Sequence, residues 1–418
     1  MYSTFTVPKS KFQGLPSVKR SDIVYRHMRD PAMLRYYYKV KTVASIESLE
    51  LAGSSPTDLF IGRFGYPKVS IGPLIPPEFG DTSILATPER WVGSSIEDIV
   101  DFRARLVRGM HTSNVHDVEN GRVEERVRDL ALAEKPTVGE LGMKGRPFVK
   151  LEMRDEVQPY GPSVEMRSFE LDNIKADRKV ERLYMDTDAK STTALTELYH
   201  DEVNVSKLQM ALSAGLFGVK GNRKFVPTRW SITAVDDTLS KANREEVKGY
   251  ESVDAVYAYY SVALDNRWII LLIPGSWEYE SIEAFFPGTV WNEDGRNVSI
   301  FGSYEGWKGR KTYAEMGGCY YSGRLAVTEK LLEMKRQARA LILREAHPGY
   351  IMPVGVWNVR EHVRDTLRRE PRVMHSLAEM MVFIAGRMDI RNNDWIANST
   401  LLKKLISQKG LAEYVAQG

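Results

Sequence analysis

The chain has 418 residues, of which 43% are hydrophobic and 27% are charged, as in ordinary globular proteins and unlike disordered ones. Its 58 Lys and Arg nearly balance 55 Asp and Glu, and the net charge of +3 excludes a protein that coats DNA through its overall charge. Any DNA contact must therefore come from a local basic patch. The single cysteine excludes an internal disulfide and a Cys-rich zinc site. Because no apolar run resembles a signal peptide or a membrane span, we expect a cytoplasmic protein without membrane contact.

The first third of the chain predicts a mixed region that follows an irregular N-terminal arm. Apolar alternation in the Gly- and Pro-rich stretch 52–81 predicts two short strands joined by a loop. The segment 95–110 is predicted to be helical, since Ser95 and Asp98 have the spacing of a capping box at its start.

The middle of the chain is predicted to be rich in β-strands. Five runs favour strands through their β-branched and aromatic content: 148–153, 168–171, 225–235, 253–264 and 268–273. The dipeptide Asp265-Asn266 between the last two runs is typical of a hairpin turn.

From Arg324 onward the pattern predicts helices. The first is expected to run through Leu341 and Ile342, and later helices are expected over 356–369, 375–387 and near 399–406. The chain is therefore predicted to be an α+β protein with a mixed N-terminal region, a β-rich middle and a helical C-terminal region with a flexible tail. We expect an N-terminal domain over 1–300, a helical domain over 301–406 and a tail over 407–418.

The C-terminal residues carry a pattern that is typical of peptides that bind the ring-shaped DNA sliding clamp. Gln408, Leu411 and Tyr414 are spaced by three, so one turn of 3₁₀ helix places them on one side, and Val415 follows. Burial of Leu411 and Tyr414 would contribute about 1.5–3 kcal/mol each. Ordering a free tail removes part of this gain, which leaves a weak, reversible contact. The alternative is a frayed terminal helix.

The chain also resembles the archaeal Nre family of DNA repair proteins along nearly its whole length. The segments that carry the resemblance are PTDLFIGRFGYPKVSIGPLIP (Pro56–Pro76), KFVPTRWSITAVDD (Lys224–Asp237), REAHPGYIMPVGVWNVRE (Arg344–Glu361) and the tail Gln408–Val415. The resemblance implies a role in DNA damage repair and a C-terminal clamp-binding peptide. Two departures are the absence of the Cys-rich N-terminal segment of some members and Val415 in place of a second aromatic residue.

Three arginines spaced by four residues are candidates for DNA contact. On the predicted helix 356–369, Arg360, Arg364 and Arg368 would form one basic stripe, and guanidinium groups suit phosphate recognition. The alternative is a solvated helix face on which Glu361 and Asp365 offset the charge.

The loop Gly62–Lys68 combines flexible, basic and aromatic residues. Arg63 and Lys68 could meet a phosphate, and Tyr66 could stack on a base or a nucleotide. The alternative is a tight turn between strands, which the glycines and Pro67 alone would explain.

Arg229, Asp236 and Asp237 form a further candidate group. On a strand, Arg229 would share a face with neighbouring hydroxyl side chains, and adjacent carboxylates at a strand end can bind Mg²⁺ in phosphoryl-transfer sites. The alternative is that the aspartates open a turn or cap a helix. The seven histidines show no zinc spacing, so no metal site is predicted.

These patterns favour a DNA repair factor, with little or no enzymatic activity, that is recruited by the sliding clamp and holds DNA through basic patches. The alternative is an enzyme acting on DNA, either a metal-dependent phosphodiester hydrolase using Asp236 and Asp237 or a nucleotide-dependent modifier, such as an ADP-ribosyltransferase, using the Arg63 loop. A third interpretation is an RNA-linked protein. The residues indicate no particular cofactor.

Overall fold

The computed structural model describes residues 46, 48–148, 161–289, 291–292, 295–350 and 353–415, with side chains described as far as residue 407. Its contacts define two compact units, Met1–Thr238 with Pro353–Gly355, and Leu239–Met352 with Val356–Gly418. This division lies inside a helix, whereas the sequence placed a domain boundary near residue 300.

The first unit is built on a six-stranded mixed sheet with the order β1-β5-β6-β4-β3-β2. Its strands are β1 (Glu50–Ser55), β2 (Leu59–Ile61), β3 (Lys68–Ile75), β4 (Val107–Asn114), β5 (Thr137–Met143) and β6 (Ser163–Leu171). Its helices are α1 (Ile96–Ala104), α2 (Arg122–Leu132), α3 (Arg178–Met185), α4 (Ser191–His200), α5 (Val205–Ser213) and the start of α6 (Thr228–Val247). Neighbouring strands are antiparallel except β4 and β6, which are parallel.

In this unit the sequence predicted elements that have a clear local pattern, namely apolar alternation for a strand or a capping box for a helix. The two short strands predicted in stretch 52–81 are β2 and β3, and the structure shows that they pair antiparallel. Helix α1 begins with the predicted capping box, since the Ser95 hydroxyl accepts from the Asp98 amide and the Asp98 carboxylate accepts from the Ser95 amide. The prediction was wrong beyond Ala104, because Val107 begins strand β4.

The strand predicted over 225–235 is wrong, because helix α6 begins at Thr228. The buried residues Ser231, Val235 and Leu239 are spaced by four and lie on one side of the helix. The β-branched and aromatic residues suggested a strand, but packing of this helical face overrides their weak local preference.

The second unit is built on another six-stranded mixed sheet with the order β10-β9-β11-β8-β7-β12. Its strands are β7 (Val256–Ala263), β8 (Asn266–Ile273), β9 (Glu278–Phe285), β10 (Ser299–Glu305), β11 (Arg339–Ala346) and β12 (Arg372–Met374). Its helices, after the end of α6, are α7 (Gly318–Met334), α8 (Trp357–Leu367), α9 (Leu377–Ala385), α10 (Asn392–Asn398) and α11 (Thr400–Val415).

Both faces of this second sheet are covered by helices, which explains its apolar central strands. Along β8, Trp268, Ile270 and Leu272 pack in one core with α7 and α8. The alternate residues Ile269 and Leu271 pack in a second core with α9, α10 and α11. Because successive side chains of a strand point to opposite faces of the sheet, β8 contributes to both cores.

The sequence predicted the β7–β8 hairpin but not β11. The chain reverses at Leu264 and Asp265, one residue before the predicted Asp265-Asn266 turn. Both turn residues have left-handed φ, and Ala263 and Asn266 pair on either side of them. The helix expected to continue through Leu341 instead ends before Lys335, whose φ is 51°. The apolar run that follows is buried on both faces of the sheet, and a short run of this kind does not distinguish a strand from a helix. The predicted α+β class is confirmed.

Candidate nucleic-acid interface

The loop between β2 and β3 is held as a tight turn at the edge of the first sheet. The Gly62 amide donates to the Ser70 carbonyl at 2.7 Å, and the Lys68 amide donates to the Gly65 carbonyl at 3.0 Å. Gly65 has φ +80°, and a Cβ there would lie 2.7 Å from the Lys68 carbonyl oxygen. Glycine is therefore required at this position by both backbone conformation and space.

The start of α6 lies beside this loop. The Ile61 amide donates to the Thr228 hydroxyl at 2.9 Å, which ties the end of β2 to the first helical residue. The rings of Tyr66 and Trp230 are in contact, with centroids 5.4 Å apart and an interplanar angle of 49°. Two segments about 160 residues apart in the sequence thus meet at one surface.

This surface exposes three large aromatic side chains, which we call the aromatic platform: Phe64, Tyr66 and Trp230. Their exposed fractions are 60%, 42% and 45%. Clustered aromatic groups of this size are seldom left in water without a binding role, so the platform is a candidate contact surface. Trp230 was not among the predicted site residues, because its segment was interpreted as a strand.

Basic residues accompany the aromatic platform. The Arg63 guanidinium carbon lies 5.2 Å from the Phe64 ring centroid, a cation–π distance. Lys68 is exposed at the end of the loop, and Arg229 is half-buried beside Trp230 in the chain. The structure therefore brings the sequence-predicted Arg63, Tyr66 and Lys68 loop next to the predicted Arg229 segment.

The predicted arginine stripe on α8 is not a surface feature, and that expectation is corrected. Arg360 is fully buried and pairs with Glu361 at 2.9 Å. Arg364 pairs with Glu329 at 2.6 Å and with Glu361 at 2.8 Å. Only Arg368, at the end of the helix, is exposed among the three. The stripe failed because α8 packs with α7 on one face of the sheet and buries most of its circumference.

Asp236 and Asp237 lie in the middle of α6 and not at a strand end, so the strand-end position on which their candidate role in binding Mg²⁺ depended is not found. Asp236 is fully buried, and its Oδ1 accepts from Gln209 Nε2 at 3.1 Å. Asp237 is half-buried on the adjacent helical position, turned about 100° around the axis. Neither aspartate lines the two described cavities.

Within the part of the chain that the structure describes, one cluster has the spacing of metal ligands, formed by Glu345, His347 and Asp389. These groups already have other partners. The Glu345 carboxylate accepts from the amides of Asp389 and Ile390 at 3.1 and 2.7 Å, and Arg267 contacts Asp389 at 2.5 Å. The Arg267 guanidinium therefore supplies positive charge beside two carboxylates of this cluster.

The backbone of the predicted tail belongs to α11, which continues to Val415. The side chains of Gln408, Leu411, Tyr414 and Val415 lie outside the described residues.

The N-terminal part of α11 is firmly packed. Leu401 and Leu402 are fully buried in the core, and Glu280 accepts hydrogen bonds from the Thr400 and Leu401 amides and the Ser399 hydroxyl. The first residues of α11 are thus anchored in the core, and the predicted clamp-binding positions lie at its C-terminal end.

No helix among the described residues is both long enough and apolar enough to span a membrane.

The protein defined so far is a two-sheet α+β protein with an exposed aromatic and basic surface on its first sheet. Sequence comparison identifies its family. The model of the N-terminal region of archaeal Nre proteins matches residues 27–292, and the model of their C-terminal region matches residues 305–414. The chain belongs to the archaeal Nre family, as the resemblance predicted.

Individual relatives support this membership. The chain is 40% identical over 356 residues to "DNA repair protein NreB" of Archaeoglobus fulgidus, which covers 85% of this chain and 90% of the relative. It is 37% identical over 337 residues to "DNA repair protein NreA" of Haloferax volcanii, with 78% and 80% covered. "DNA repair protein NreA" of Archaeoglobus fulgidus is 33% identical over 349 residues, with 82% and 86% covered. No solved structure matches this chain.

Proposed function

We propose that this protein is a DNA repair factor that binds unpaired DNA at the aromatic platform and is recruited by the sliding clamp through the end of α11. The repair role is inferred from the names of its relatives. The observation that carries the DNA contact is the exposed ring pair of Tyr66 and Trp230 beside the basic loop.

The chemistry of the aromatic platform suits single strands better than duplex DNA. Unpaired bases present their ring faces, and Tyr66, Phe64 and Trp230 offer exposed surfaces on which such faces can stack. Lys68 and Arg63 supply positive charge for the adjacent phosphates. Duplex DNA hides its ring faces in the stack, so the aromatic side chains would add little to its binding.

The test is Trp230→Ala, with binding of a fluorescein-labelled single-stranded oligonucleotide followed by anisotropy. Loss of one stacking partner should weaken binding by about 1–3 kcal/mol, or roughly 5- to 150-fold. The free energy of unfolding should change by less than about 1 kcal/mol, because Trp230 is largely exposed.

A matched control is Trp307→Ala, which removes another exposed tryptophan with an exposed fraction of 46%. Trp307 lies in the second unit and contacts Lys248 at 5.1 Å. Its removal should leave DNA affinity unchanged. Equal losses in the Trp230 and Trp307 variants, or no oligonucleotide binding by the wild type, would refute the aromatic platform as the DNA site.

Recruitment by the clamp rests on the sequence pattern together with the anchoring of α11. The backbone of α11 is helical through Val415. On an α-helix Gln408, Leu411 and Val415 would share a side, whereas on a 3₁₀ helix Gln408, Leu411 and Tyr414 would do so. Tyr414 follows Leu411 by three positions. Among the side chains of α11 that the structure describes, which end at residue 407, Leu405 is the last that packs against the core.

The test for clamp binding is the double variant Leu411→Ala with Tyr414→Ala, measured by calorimetry with the sliding clamp. Binding should be lost, because both apolar groups that fill the clamp pocket are removed. The control is Lys409→Ala with Glu413→Ala, which alters two charged positions outside the motif and should retain affinity. If the Leu411 and Tyr414 variant binds like the wild type, the motif is coincidental.

A further inference from the structure

A second site on the first unit is a cleft of about 800 Å³, in the size range of small-molecule and nucleotide sites. Five segments line it: 56–58, 83–90, 134–136, 175–179 and 202–210. It includes none of the residues of the aromatic platform.

Two of the four acidic residues that line this cleft form ion pairs. Asp58 pairs with Arg103 at 2.8 Å, and Glu134 pairs with Lys175 at 2.6 Å. The Asp177 carboxylate caps α3 by accepting from its first amides. Glu202 is the fourth lining acid and is exposed.

The cations of the cleft have a different set of partners. Arg90 donates to the Ser83 hydroxyl at 2.9 Å, Lys179 donates to a main-chain carbonyl, and Lys207 donates to the Ala133 carbonyl at 2.6 Å. These oxygens are neutral, so the hydrogen bonds do not cancel the positive charge. Arg178 adds another exposed guanidinium to the lining. With the ion-paired groups set aside, four lining cations face two acidic residues, Asp177 and Glu202, so the cleft has an excess of positive charge.

The charge of Lys207 is sensitive to what occupies the cleft. Burial lowers the pKa of its amine to about 8, against an opposing effect from the negative charge of Asp177. An anion placed in the cleft would favour the ammonium form and raise this pKa. A rise in the pKa of the Lys207 amine would therefore indicate that an anion is bound in the cleft.

The backbone of the cleft is also held in uncommon conformations. Thr57 and Glu202 both have φ of 62°, and they are two of the five non-glycine residues with left-handed φ in the described part of the chain. Left-handed φ is especially unusual for a β-branched residue such as Thr57. Conformations of this kind concentrate at ligand-binding sites.

We propose that this cleft binds a phosphate-bearing ligand of nucleotide size, with Arg90, Arg178 and Lys179 contacting its phosphates. Guanidinium groups bind phosphate oxygens through paired, charge-assisted hydrogen bonds. The ligand is either a free nucleotide or the phosphorylated end of a DNA strand, which present the same chemistry. The proposal is independent of DNA stacking at the aromatic platform.

The experiment uses two pairs of probes and calorimetry with the full chain. ADP is compared with adenosine, and a 5′-phosphorylated tetrathymidylate is compared with its unphosphorylated form. Saturable binding of ADP alone identifies a free nucleotide, and binding of the phosphorylated oligonucleotide alone identifies a DNA end. Absence of binding by both phosphorylated probes, or equal binding of probes with and without phosphate, would overturn the proposal.

The double variant Arg90→Gln with Arg178→Gln localises the binding. Both residues are exposed, so folding should be retained, while affinity for the bound probe should fall at least about tenfold. The control is Arg182→Gln, which removes an exposed arginine of α3 that pairs with Glu197 at 2.8 Å and does not line the cleft. Unchanged affinity in the double variant would place the ligand elsewhere.

A second readout follows one lining residue of the cleft, with its variant used only to assign the signal. After reductive ¹³C-methylation, the Lys207 resonance, assigned with Lys207→Arg, should titrate near pH 8 and shift to higher pH when the bound probe is present. An unshifted midpoint at saturating probe would contradict binding in this cleft. Trp230→Ala should leave ADP binding intact, so failure of the aromatic platform and failure of the cleft are distinguishable.

Discussion

Arg364 and Arg368 belong to one predicted stripe on α8, but Arg364 is half-buried in ion pairs and Arg368 is exposed. Replacing each by alanine distinguishes a structural role of this helix from a role in DNA binding. Arg364 donates from Nε and Nη2 to the Glu329 carboxylate at 2.7 and 2.6 Å and from Nη1 to Glu361 at 2.8 Å. Arg368 is exposed one turn later.

The expected loss of stability depends on how deeply Arg364 and its carboxylate partners are buried. Removing one member of a buried ion pair costs about 3–5 kcal/mol, because the remaining charge is left without its partner. The Arg364 and Glu329 side chains retain exposed fractions of 15% and 21%, so water compensates part of the loss. We expect Arg364→Ala to lower the free energy of unfolding by about 2–3 kcal/mol and Arg368→Ala to change it by less than about 0.5 kcal/mol.

Urea unfolding of both variants, followed by circular dichroism, measures this difference, and anisotropy measures DNA affinity and its salt dependence. Arg364→Ala should not flatten the dependence of affinity on salt, because the Arg364 charge is engaged within the protein. If Arg364→Ala is as stable as the wild type and binds DNA with a shallower salt dependence, the ion-pair account of this helix is refuted.

Three further outcomes follow from described contacts. Glu305→Ala should destabilise the second unit by about 3–5 kcal/mol, measured by urea unfolding, because it removes a buried carboxylate that pairs with Arg324 and Arg244, of which Arg244 retains Glu245. Hydrogen bonds from Ser303 and Arg310 lower the pKa of Glu315 to about 2, so its stabilisation is complete above its ordinary pKa of 4.5 and is lost as the pH falls towards about 2. Glu315→Gln should therefore destabilise the protein at neutral pH, and urea titrations should show the difference from the wild type shrinking over that acid range. Deleting residues 408–418 should abolish clamp binding by calorimetry and leave the midpoint of thermal unfolding nearly unchanged, whereas a large drop would show that the end of α11 supports the core.

The sequence alone determined the features that depend on neighbouring residues. The capping box at Ser95, the β7–β8 reversal and the helical segment of α8 were all predicted, because each arises from hydrogen bonds or periodicity within a few positions. Family membership was also evident from the sequence, since four long segments carry it.

Only the tertiary structure decided which surfaces those elements expose. The segment that begins at Thr228 is a helix because one of its faces is buried, and this placed Trp230 against Tyr66. The same kind of packing buried Arg360, which the spacing alone had placed on a DNA-binding face. Spacing specifies the relative directions of side chains on a helix, whereas burial depends on contacts between residues far apart in the chain, which local periodicity does not encode.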